Sequence, residues 1–257
     1  MEVISMIVME EVWESIPLLH VYEEQMDEHT PIVIFLHGFL SAKEHNLHYA
    51  YQLVQQGIRV ILPDALFHGK REENLSEEQM NMKFWEIVLQ SIKDVHTLHE
   101  QLKLKNIVVH DQIGIAGTSM GGIVTSGCLA VYQWVKTAGI CMGTTSFTKL
   151  AQYQLELLKA KGVMLPIVEE QQQAMLAKLA SYNLEDHKEV WAHCPIVFWH
   201  GKKDTVIPFN MSHEYYEQLI EENSSKQINY ISEAKAGHTV SRDGILQVTQ
   251  FLAQHLA

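Results

Sequence analysis

The sequence predicts an α/β fold built on an eight-stranded, mostly parallel β-sheet with helices on both faces. Three observations predict it: short apolar runs typical of buried strands, amphipathic helical segments between most of them, and glycines beside polar residues where several runs end. A chain of 257 residues with 47% hydrophobic residues can bury one full core, so a single domain over residues 1–257 is expected.

Eight apolar runs are the predicted strands. They cover residues 2–9, 18–23, 32–36, 58–62, 112–117, 138–142, 195–200 and 227–232. The first two are joined by a short link and predict an antiparallel edge, whereas the later runs alternate with helices and predict parallel pairs with right-handed crossovers. In such a sheet a functional site lies at the carboxyl ends of the strands.

The helical pattern is clearest over residues 78–104, where apolar residues recur at steps of three and four. The longest connection, residues 146–192 between the sixth and seventh strands, also contains helix-forming segments, broken near Gly162 and Pro166. Because this insertion starts and ends on the carboxyl face of the sheet, we expect a small helical cap over the site. A surface helical hairpin away from the site is the alternative.

Residues 117–121 read Gly-Thr-Ser-Met-Gly and follow the fifth predicted strand. A serine between two such glycines at a strand-to-helix junction is typical of a nucleophile elbow, a turn so sharp that only hydrogen fits at the flanking positions. The pentapeptide alone is expected by chance in about one chain of this length in ten, so its weight depends on the residues that accompany it. Ser119 is the predicted nucleophile.

His238, beyond the last predicted strand, is the predicted general base. A serine hydroxyl is a poor nucleophile until a base takes its proton, and histidine can do so at neutral pH. His37 and His200 compete for this role because both stand at strand ends, but each precedes a glycine that shapes a turn. Only His238 has the position that the chain order serine, acid, histidine requires.

Asp204, in the turn after the seventh predicted strand, is the predicted acid of the triad. A carboxylate at this place would fix the imidazole tautomer and stabilise the imidazolium. Asp243 and Asp186 are weaker alternatives, and Asp204 could instead be a residue that solvates a tight turn.

An oxyanion hole is expected from the backbone N–H groups of Phe39 and Met120, since Phe39 follows a His-Gly pair at the end of the third strand and Met120 follows the serine. The residues predicted to line an apolar substrate pocket are His37, Leu40, Met142 and Phe147.

Taken together, these motifs resemble those of the α/β-hydrolases. Residues 63–71 after the fourth strand and the Ser-Met-Gly-Gly at 119–122 resemble small bacterial serine esterases related to dienelactone hydrolases and to the catalytic domain of prolyl oligopeptidases. The resemblance runs from about residue 18 to the end of the chain and is weakest between 147 and 190. Dienelactone hydrolases themselves carry a cysteine where this chain has Ser119. Asp64 and His68 resemble a loop that flanks the site in this family, and we expect a structural role for them, with Asp64 anchoring the loop through backbone hydrogen bonds.

The resemblance implies a serine hydrolase that cleaves carboxylic esters with short acyl groups through an acyl-enzyme. A serine peptidase of the prolyl-oligopeptidase type uses the same triad, but such enzymes carry a large N-terminal propeller that the roughly 30 residues before the third strand cannot supply. A third possibility is a ligand-binding protein that keeps the hydrolase fold without turnover. Such proteins usually lack a member of the triad, and here all three residues are present.

Composition excludes several other classes of function. A net charge of −12, with the 19 lysines and arginines scattered, argues against nucleic acid as a partner. No apolar stretch approaches the roughly 18 residues that cross a bilayer, and the first 11 residues have no basic leader, so we expect a cytoplasmic protein without a membrane partner. A small-molecule ester is the expected partner, and a homo-oligomer is left open.

No metal ion or cofactor is expected. The 15 histidines include no His-Glu-x-x-His or comparable cluster, and His45 and His48 are predicted on a solvated helix face. The three cysteines, Cys128, Cys141 and Cys194, are widely spaced and are interpreted as reduced, buried small side chains.

Overall fold

The computed structural model describes residues 5–110, 112–162, 169–222 and 227–256. Within these ranges the strands are β1 (Met6–Trp13), β2 (Ile16–Glu23), β3 (Ile32–Leu36), β4 (Arg59–Pro63), β5 (Ile113–Thr118), β6 (Thr137–Cys141), β7 (Ile196–Gly201) and β8 (Ile228–Glu233). They form one eight-stranded sheet in the order β1-β2-β4-β3-β5-β6-β7-β8. β1 is antiparallel to β2 and β2 to β4, while all other pairs are parallel. The predicted mostly parallel sheet with an antiparallel edge is confirmed.

The position of the first strand differs from its prediction. β1 runs over Met6–Trp13 and not over residues 2–9, of which residues 2–4 lie outside the described ranges. Its register is set by a two-residue turn to β2, in which Glu14 and Ser15 adopt φ values of 46° and 67°. Such a hairpin turn normally carries asparagine or glycine, and neither residue here is one of these, so the sequence lacked the usual signal. The other strands lie within two residues of their predicted bounds.

Helices cover both faces of the sheet, as predicted. The described helices are α1 (Leu47–Val54), α2 (Glu77–Met82), α3 (Phe84–Leu104), α4 (Met120–Val131), α5 (Phe147–Ala160), α6 (Glu169–Ala180), α7 (Lys188–Trp191), α8 (Asn210–Glu221) and α9 (Arg242–Leu256). α1 and α9 pack on one face, and α3 and α4 pack on the other. β3 shows why both faces are apolar: Ile32, Ile34 and Leu36 join the core under α3 and α4, whereas Val33 and Phe35 join the core under α1 and α9. No described helix combines the length and the apolar character that crossing a bilayer requires.

The single helix predicted over residues 78–104 is wrong in one respect, because the structure divides it into α2 and α3. Ser76 and Gln79 form a capping box that starts α2. The helix ends where the N–H of Lys83 bonds to the carbonyls of Gln79 and Met80, and α3 begins where the carbonyl of Lys83 accepts from Ile87. The apolar face continues across the break, so its spacing located the buried face but could not show the interruption.

A buried ion pair joins the loops that follow β3 and β4. The side chains of Lys43 and Asp64 are fully buried, and Lys43 Nζ lies 2.7 Å from Asp64 Oδ2. The carboxylate also accepts hydrogen bonds from the backbone N–H groups of Lys43 and Lys70, at 3.1 and 3.0 Å. Burial alone would lower the pKa of Lys43, but the carboxylates of Asp64 and Glu44 raise it above its ordinary value. The anchoring role predicted for Asp64 is confirmed, and its buried cationic partner is a new finding.

Two buried histidines tie the same loops together through backbone N–H groups. His37 Nε2 accepts from Ala65, and His68 Nε2 accepts from Leu40, each at 3.0 Å. The Nδ1 atom of each ring donates to a carbonyl oxygen of its own loop. Both rings must therefore be neutral to make both bonds. Burial lowers the pKa of both residues, to about 4 for His37.

The ion pair predicts a large stability loss on removal of the lysine. Lys43→Met leaves the Asp64 carboxylate buried without its cation, which should reduce the free energy of unfolding by about 3 kcal/mol or more. The matched control is Lys70→Met, because the Lys70 side chain is 58% exposed in its ion pair with Glu10 and should contribute far less. Urea unfolding at pH 7.5 measures both variants, and equal losses would contradict the importance of the buried pair.

The buried histidines predict that acid destabilises the fold. The pKa of His37 in the folded chain, about 4, lies below its unfolded value of about 6.5, so the unfolded state binds a proton first as the pH falls. The free energy of unfolding should drop by about 2 kcal/mol from pH 7 to pH 5 on account of this residue, and His68 acts in the same direction.

Urea unfolding at several pH values tests this. His37→Gln, whose amide oxygen can accept from Ala65 without titrating, should flatten the dependence. His193→Gln, at an exposed histidine, should not. The same slope in wild type and His37→Gln would contradict the assignment.

Candidate active site

Ser119 lies in a strained turn between β5 and α4. Its φ and ψ are 57° and −118°, which non-glycine residues rarely adopt. The glycines on either side are required sterically: a Cβ on Gly117 would lie 2.4 Å from the Gly121 carbonyl carbon, and one on Gly121 would lie 2.1 Å from Leu36 O. The turn has the tightness that the Gly-x-Ser-x-Gly pattern predicts.

The structure brings Ser119, His238 and Asp204 into one hydrogen-bonded chain. His238 Nε2 lies 2.8 Å from Ser119 Oγ, and His238 Nδ1 lies 2.7 Å from Asp204 Oδ2. The Asp204 side chain is fully buried, whereas the His238 side chain is 21% exposed. The carboxylate is thus shielded from solvent while the imidazole remains reachable from the surface.

Asp204 is surrounded by hydrogen-bond donors. Its Oδ1 atom accepts from the backbone N–H groups of Val206 and Ile207, at 2.9 and 3.0 Å. Its Oδ2 atom faces His238 and also His200, whose Nε2 is 3.3 Å away. Burial would raise the pKa of Asp204, but the hydrogen bonds from His200, His238 and Val206 hold it well below its usual range. An ionised carboxylate therefore faces the imidazole at neutral pH.

The other candidates for base and acid have different hydrogen-bond partners or lie on other elements. The ring of His37 bonds to the backbone of Ala65, and that of His200 bonds to Ile207 O at 2.9 Å. The Asp186 carboxylate accepts a hydrogen bond from the Asn183 amide. Asp243 lies in the first turn of α9.

Phe39 and Met120, predicted to provide the oxyanion hole, belong to the loop after β3 and to the start of α4. A Cβ on Gly38 would lie 3.5 Å from Ser119 Cβ, which puts the backbone preceding Phe39 beside the serine. Met120 is the first residue of α4, and the first N–H groups of a helix have no partner within it. The role of these two N–H groups as an oxyanion hole stays a prediction.

The four residues predicted to line a pocket lie in different surroundings. His37 is buried between the two loops, and Leu40 is 53% exposed with φ of 56°. Met142 is buried after β6 in the core under α1 and α9. Phe147 is fully buried at the start of α5 in the opposite core. Their role as a substrate pocket stays a prediction.

Aromatic rings connect Phe39 to Phe147 across the start of α3. Phe39 packs edge-to-face on Phe84 at 5.4 Å between ring centroids, Phe84 on Trp85 at 5.3 Å, and Trp85 is tilted against Phe147 at 5.4 Å. Phe84 and Trp85 were not among the predicted site residues. The only signal for Phe84 in the sequence was its place in the apolar face of the 78–104 pattern, which core packing explains equally well.

The predicted cap, residues 146–192, contains α5, α6 and α7. Trp85 Nε1 donates a hydrogen bond to Gln154 Oε1 at 3.0 Å, which joins α3 to α5. α5 also contacts α6. Gly162, one of the two predicted breaks, ends the turn after α5 with φ of 73°, and Pro166 lies outside the described residues. The function of this segment as a cap over the site stays a prediction.

A possible metal-ligand group lies on α3, where His96, His99 and Glu100 bring ligand atoms within 4.8 Å of one another. His99 stacks on Trp134 with 4.0 Å between ring centroids and lies 3.0 Å from a Glu100 oxygen. His96 stacks on Tyr132 at 5.0 Å. Aromatic stacking accounts for the placement of both rings.

Comparison with known proteins supports the resemblance seen in the sequence. Residues 48–257 match the prolyl oligopeptidase family. The chain is 36% identical over 245 residues to the Bacillus subtilis protein named "Putative esterase YitV" (94% of this chain, 96% of the relative), and 31% identical over 246 residues to "Esterase YjfP" of Escherichia coli (94% and 96%). The structure of TT1662 from Thermus thermophilus superposes with a TM-score of 0.75 at 19% identity, covering 98% of each chain, which shows a common fold. The chain therefore has the α/β-hydrolase fold and belongs to the prolyl oligopeptidase family.

Proposed function

We propose that this chain is a serine hydrolase that cleaves carboxylic esters through an acyl-enzyme, with Ser119 as nucleophile, His238 as general base and Asp204 as the acid that orients it. The observation that carries the proposal is the hydrogen-bonded chain of 2.8 and 2.7 Å from Ser119 through His238 to the buried Asp204. The relatives YitV and YjfP, both named as esterases, support the choice of reaction.

Acylation follows from the direction of these hydrogen bonds. His238 Nε2 removes the proton of Ser119 as Oγ attacks the ester carbonyl carbon, and the carbonyl π electrons move to its oxygen. The ionised Asp204 stabilises the imidazolium through Nδ1–H. When the tetrahedral intermediate collapses, the bond to the alcohol oxygen breaks and His238 returns its proton to that oxygen, so an alcohol leaves and the acyl group stays on Ser119.

Deacylation repeats the same steps with water. His238 takes a proton from a water molecule that attacks the acyl carbon, and then returns it to Ser119 Oγ as the carboxylic acid is released. In both halves the negative carbonyl oxygen needs hydrogen-bond donors. The backbone N–H groups of Phe39 and Met120 are proposed for this role, and each such donor typically supplies about 3 kcal/mol.

The proposed substrates are small-molecule esters with short acyl groups. The support is the apolar side chain of Phe39, which begins the series of packed aromatic rings that reaches Phe147. Leu40, Met142 and His37 are the further proposed lining residues. Each added methylene stabilises binding by up to about 0.8 kcal/mol until the wall is reached, after which steric cost exceeds the gain. Peptide amides are poorer substrates for such a site unless a peptide-binding surface adds to it.

Removal of the nucleophile should abolish turnover. Ser119→Ala leaves no hydroxyl to acylate, so kcat for p-nitrophenyl acetate should fall by about 10⁴-fold or more while the melting temperature stays close to that of wild type. Ser126→Ala is a matched control, since Ser126 is a buried serine of α4 away from the elbow. The activity of this variant should equal that of wild type. A Ser119→Ala enzyme with more than about a tenth of wild-type kcat would disprove the assignment.

Acyl-chain length should show a maximum at short chains. We expect high kcat/KM for acetyl to butyryl p-nitrophenyl esters, poor hydrolysis beyond about eight carbons, and much slower cleavage of a peptide p-nitroanilide. Leu40→Ala should move the maximum toward longer chains if Leu40 lines the pocket. Leu104→Ala, at a residue 72% exposed at the end of α3, is the control and should not. A maximum at palmitate would indicate an open groove, and fast anilide cleavage would favour the peptidase.

A further inference from the structure

A second histidine contacts the acid of the proposed triad. His200, the penultimate residue of β7, is almost completely buried. Its Nε2 lies 3.3 Å from the same Asp204 oxygen, Oδ2, that bonds His238. We infer that His200 is a positioning residue that holds Asp204 in register with His238. This inference rests on the proposed function, since it assigns a task to a residue behind the proposed triad.

The tautomer of His200 follows from its partners. Nε2 is 2.9 Å from the carbonyl oxygen of Ile207 and 3.3 Å from the Asp204 carboxylate, and both of these groups only accept hydrogen bonds. Nε2 must therefore carry the hydrogen. In the neutral ring Nδ1 is then an acceptor, so Ser212, whose Oγ is 3.3 Å away, donates to it.

A tyrosine is the first donor in this series of hydrogen bonds. Tyr230 Oη lies 2.8 Å from Ser212 Oγ, and because the Ser212 hydrogen points to His200, Tyr230 is the donor of this bond. The chain of hydrogen bonds therefore runs in one direction from Tyr230 on β8 through Ser212 on α8 and His200 on β7 to Asp204. It links three elements of the fold to one carboxylate.

His200 fills a specific place around that carboxylate. Oδ1 is occupied by two backbone N–H groups of the following turn, those of Val206 and Ile207, and Oδ2 by His238. A carboxylate offers about four acceptor sites, and His200 supplies the remaining donor. Its bond to Ile207 O also holds the turn that provides the Oδ1 donors. Without His200 the Asp204 carboxylate can rotate, and its hydrogen bond with His238 Nδ1–H becomes stronger.

A pH measurement on this site also depends on the other titratable groups around Asp204 and His200. His238 faces Asp204 from the loop after β8, Tyr230 faces the Ser212 hydroxyl from β8, and His213 on α8 packs against Tyr230 at 5.0 Å. Loss of the His200 donor leaves Asp204 a stronger acceptor for the proton of His238. The acid limb of the pH profile, which belongs to the coupled pair, should then move to higher pH.

The test compares His200→Phe with His200→Gln in the full chain. Phenylalanine keeps a ring against Phe209, which meets His200 edge-to-face at 5.7 Å, but it removes both nitrogens, whereas the glutamine amide can still donate near the Nε2 position. We expect His200→Phe to lower kcat by about 10-fold or more with little change in KM, and to shift the acid limb of kcat/KM upward by about half a pH unit or more. His200→Gln should recover most of both. The control His193→Phe, at an exposed histidine, should match wild type.

Several outcomes decide the matter. If His200→Phe does not fold, Ser212→Ala, which removes the donor to Nδ1, should show the same shift in reduced form. An acid limb unchanged in the folded His200→Phe variant, or in Ser212→Ala when His200→Phe is unfolded, would overturn the inference while leaving the proposed function intact. A kcat loss that glutamine does not restore, with no shift of the limb, would show a merely structural role. Failure of the proposed function is recognised separately, by a Ser119→Ala enzyme that still turns over.

Discussion

Helix α4 can approach the sheet at Ser119 only because residues 117 and 121 lack a Cβ atom. The contact at Gly121 is with the carbonyl of Leu36, the last residue of β3, so the helix rests directly on the end of that strand. One consequence is the strained backbone at Ser119, whose φ and ψ are 57° and −118°. The other is that the loop leaving β3 begins beside the serine, since a Cβ on Gly38 would lie 3.5 Å from Ser119 Cβ. A single close approach of backbones therefore sets the distance between the hydroxyl and the proposed oxyanion donors.

Two buried carboxylates support this arrangement in different ways. Asp64 accepts hydrogen bonds from the Lys43 ammonium and from backbone N–H groups of the loops after β3 and β4. Its role is structural. Asp204 has no lysine or arginine against it among its described hydrogen bonds and ion pairs; its donors are backbone N–H groups and two histidines. A permanent cation would weaken the interaction of a carboxylate with a developing imidazolium. In the proposed mechanism, histidine donors stabilise the Asp204 carboxylate without a permanent positive charge, so the carboxylate can still interact strongly with His238 when that residue gains its proton.

The sequence predicted the parts of the structure that depend on local pattern. The apolar runs located β2 to β8 within two residues. The chain order of Ser119, Asp204 and His238 identified three side chains that the fold brings within hydrogen-bond distance. It could not predict features that depend on which distant groups become neighbours. Lys43 stands in a polar segment, Ser-Ala-Lys-Glu-His, that is typical of a solvated turn, and only the position of Asp64 on the adjacent loop explains its burial. The hydrogen bond from the Ala65 N–H to the His37 ring likewise joins residues 28 positions apart, which no local pattern in the sequence indicates.

The central claim is that Ser119 is activated by its hydrogen bonds to His238 and, through it, to Asp204. Labelling with a fluorophosphonate, which phosphonylates only an activated serine, tests this most directly when the modified peptide is identified by mass spectrometry. The account predicts one label per chain on Ser119, formed rapidly in wild type and far more slowly in His238→Ala, with both proteins folded. A folded wild-type protein that stays unlabelled, or one labelled at another residue, would contradict it.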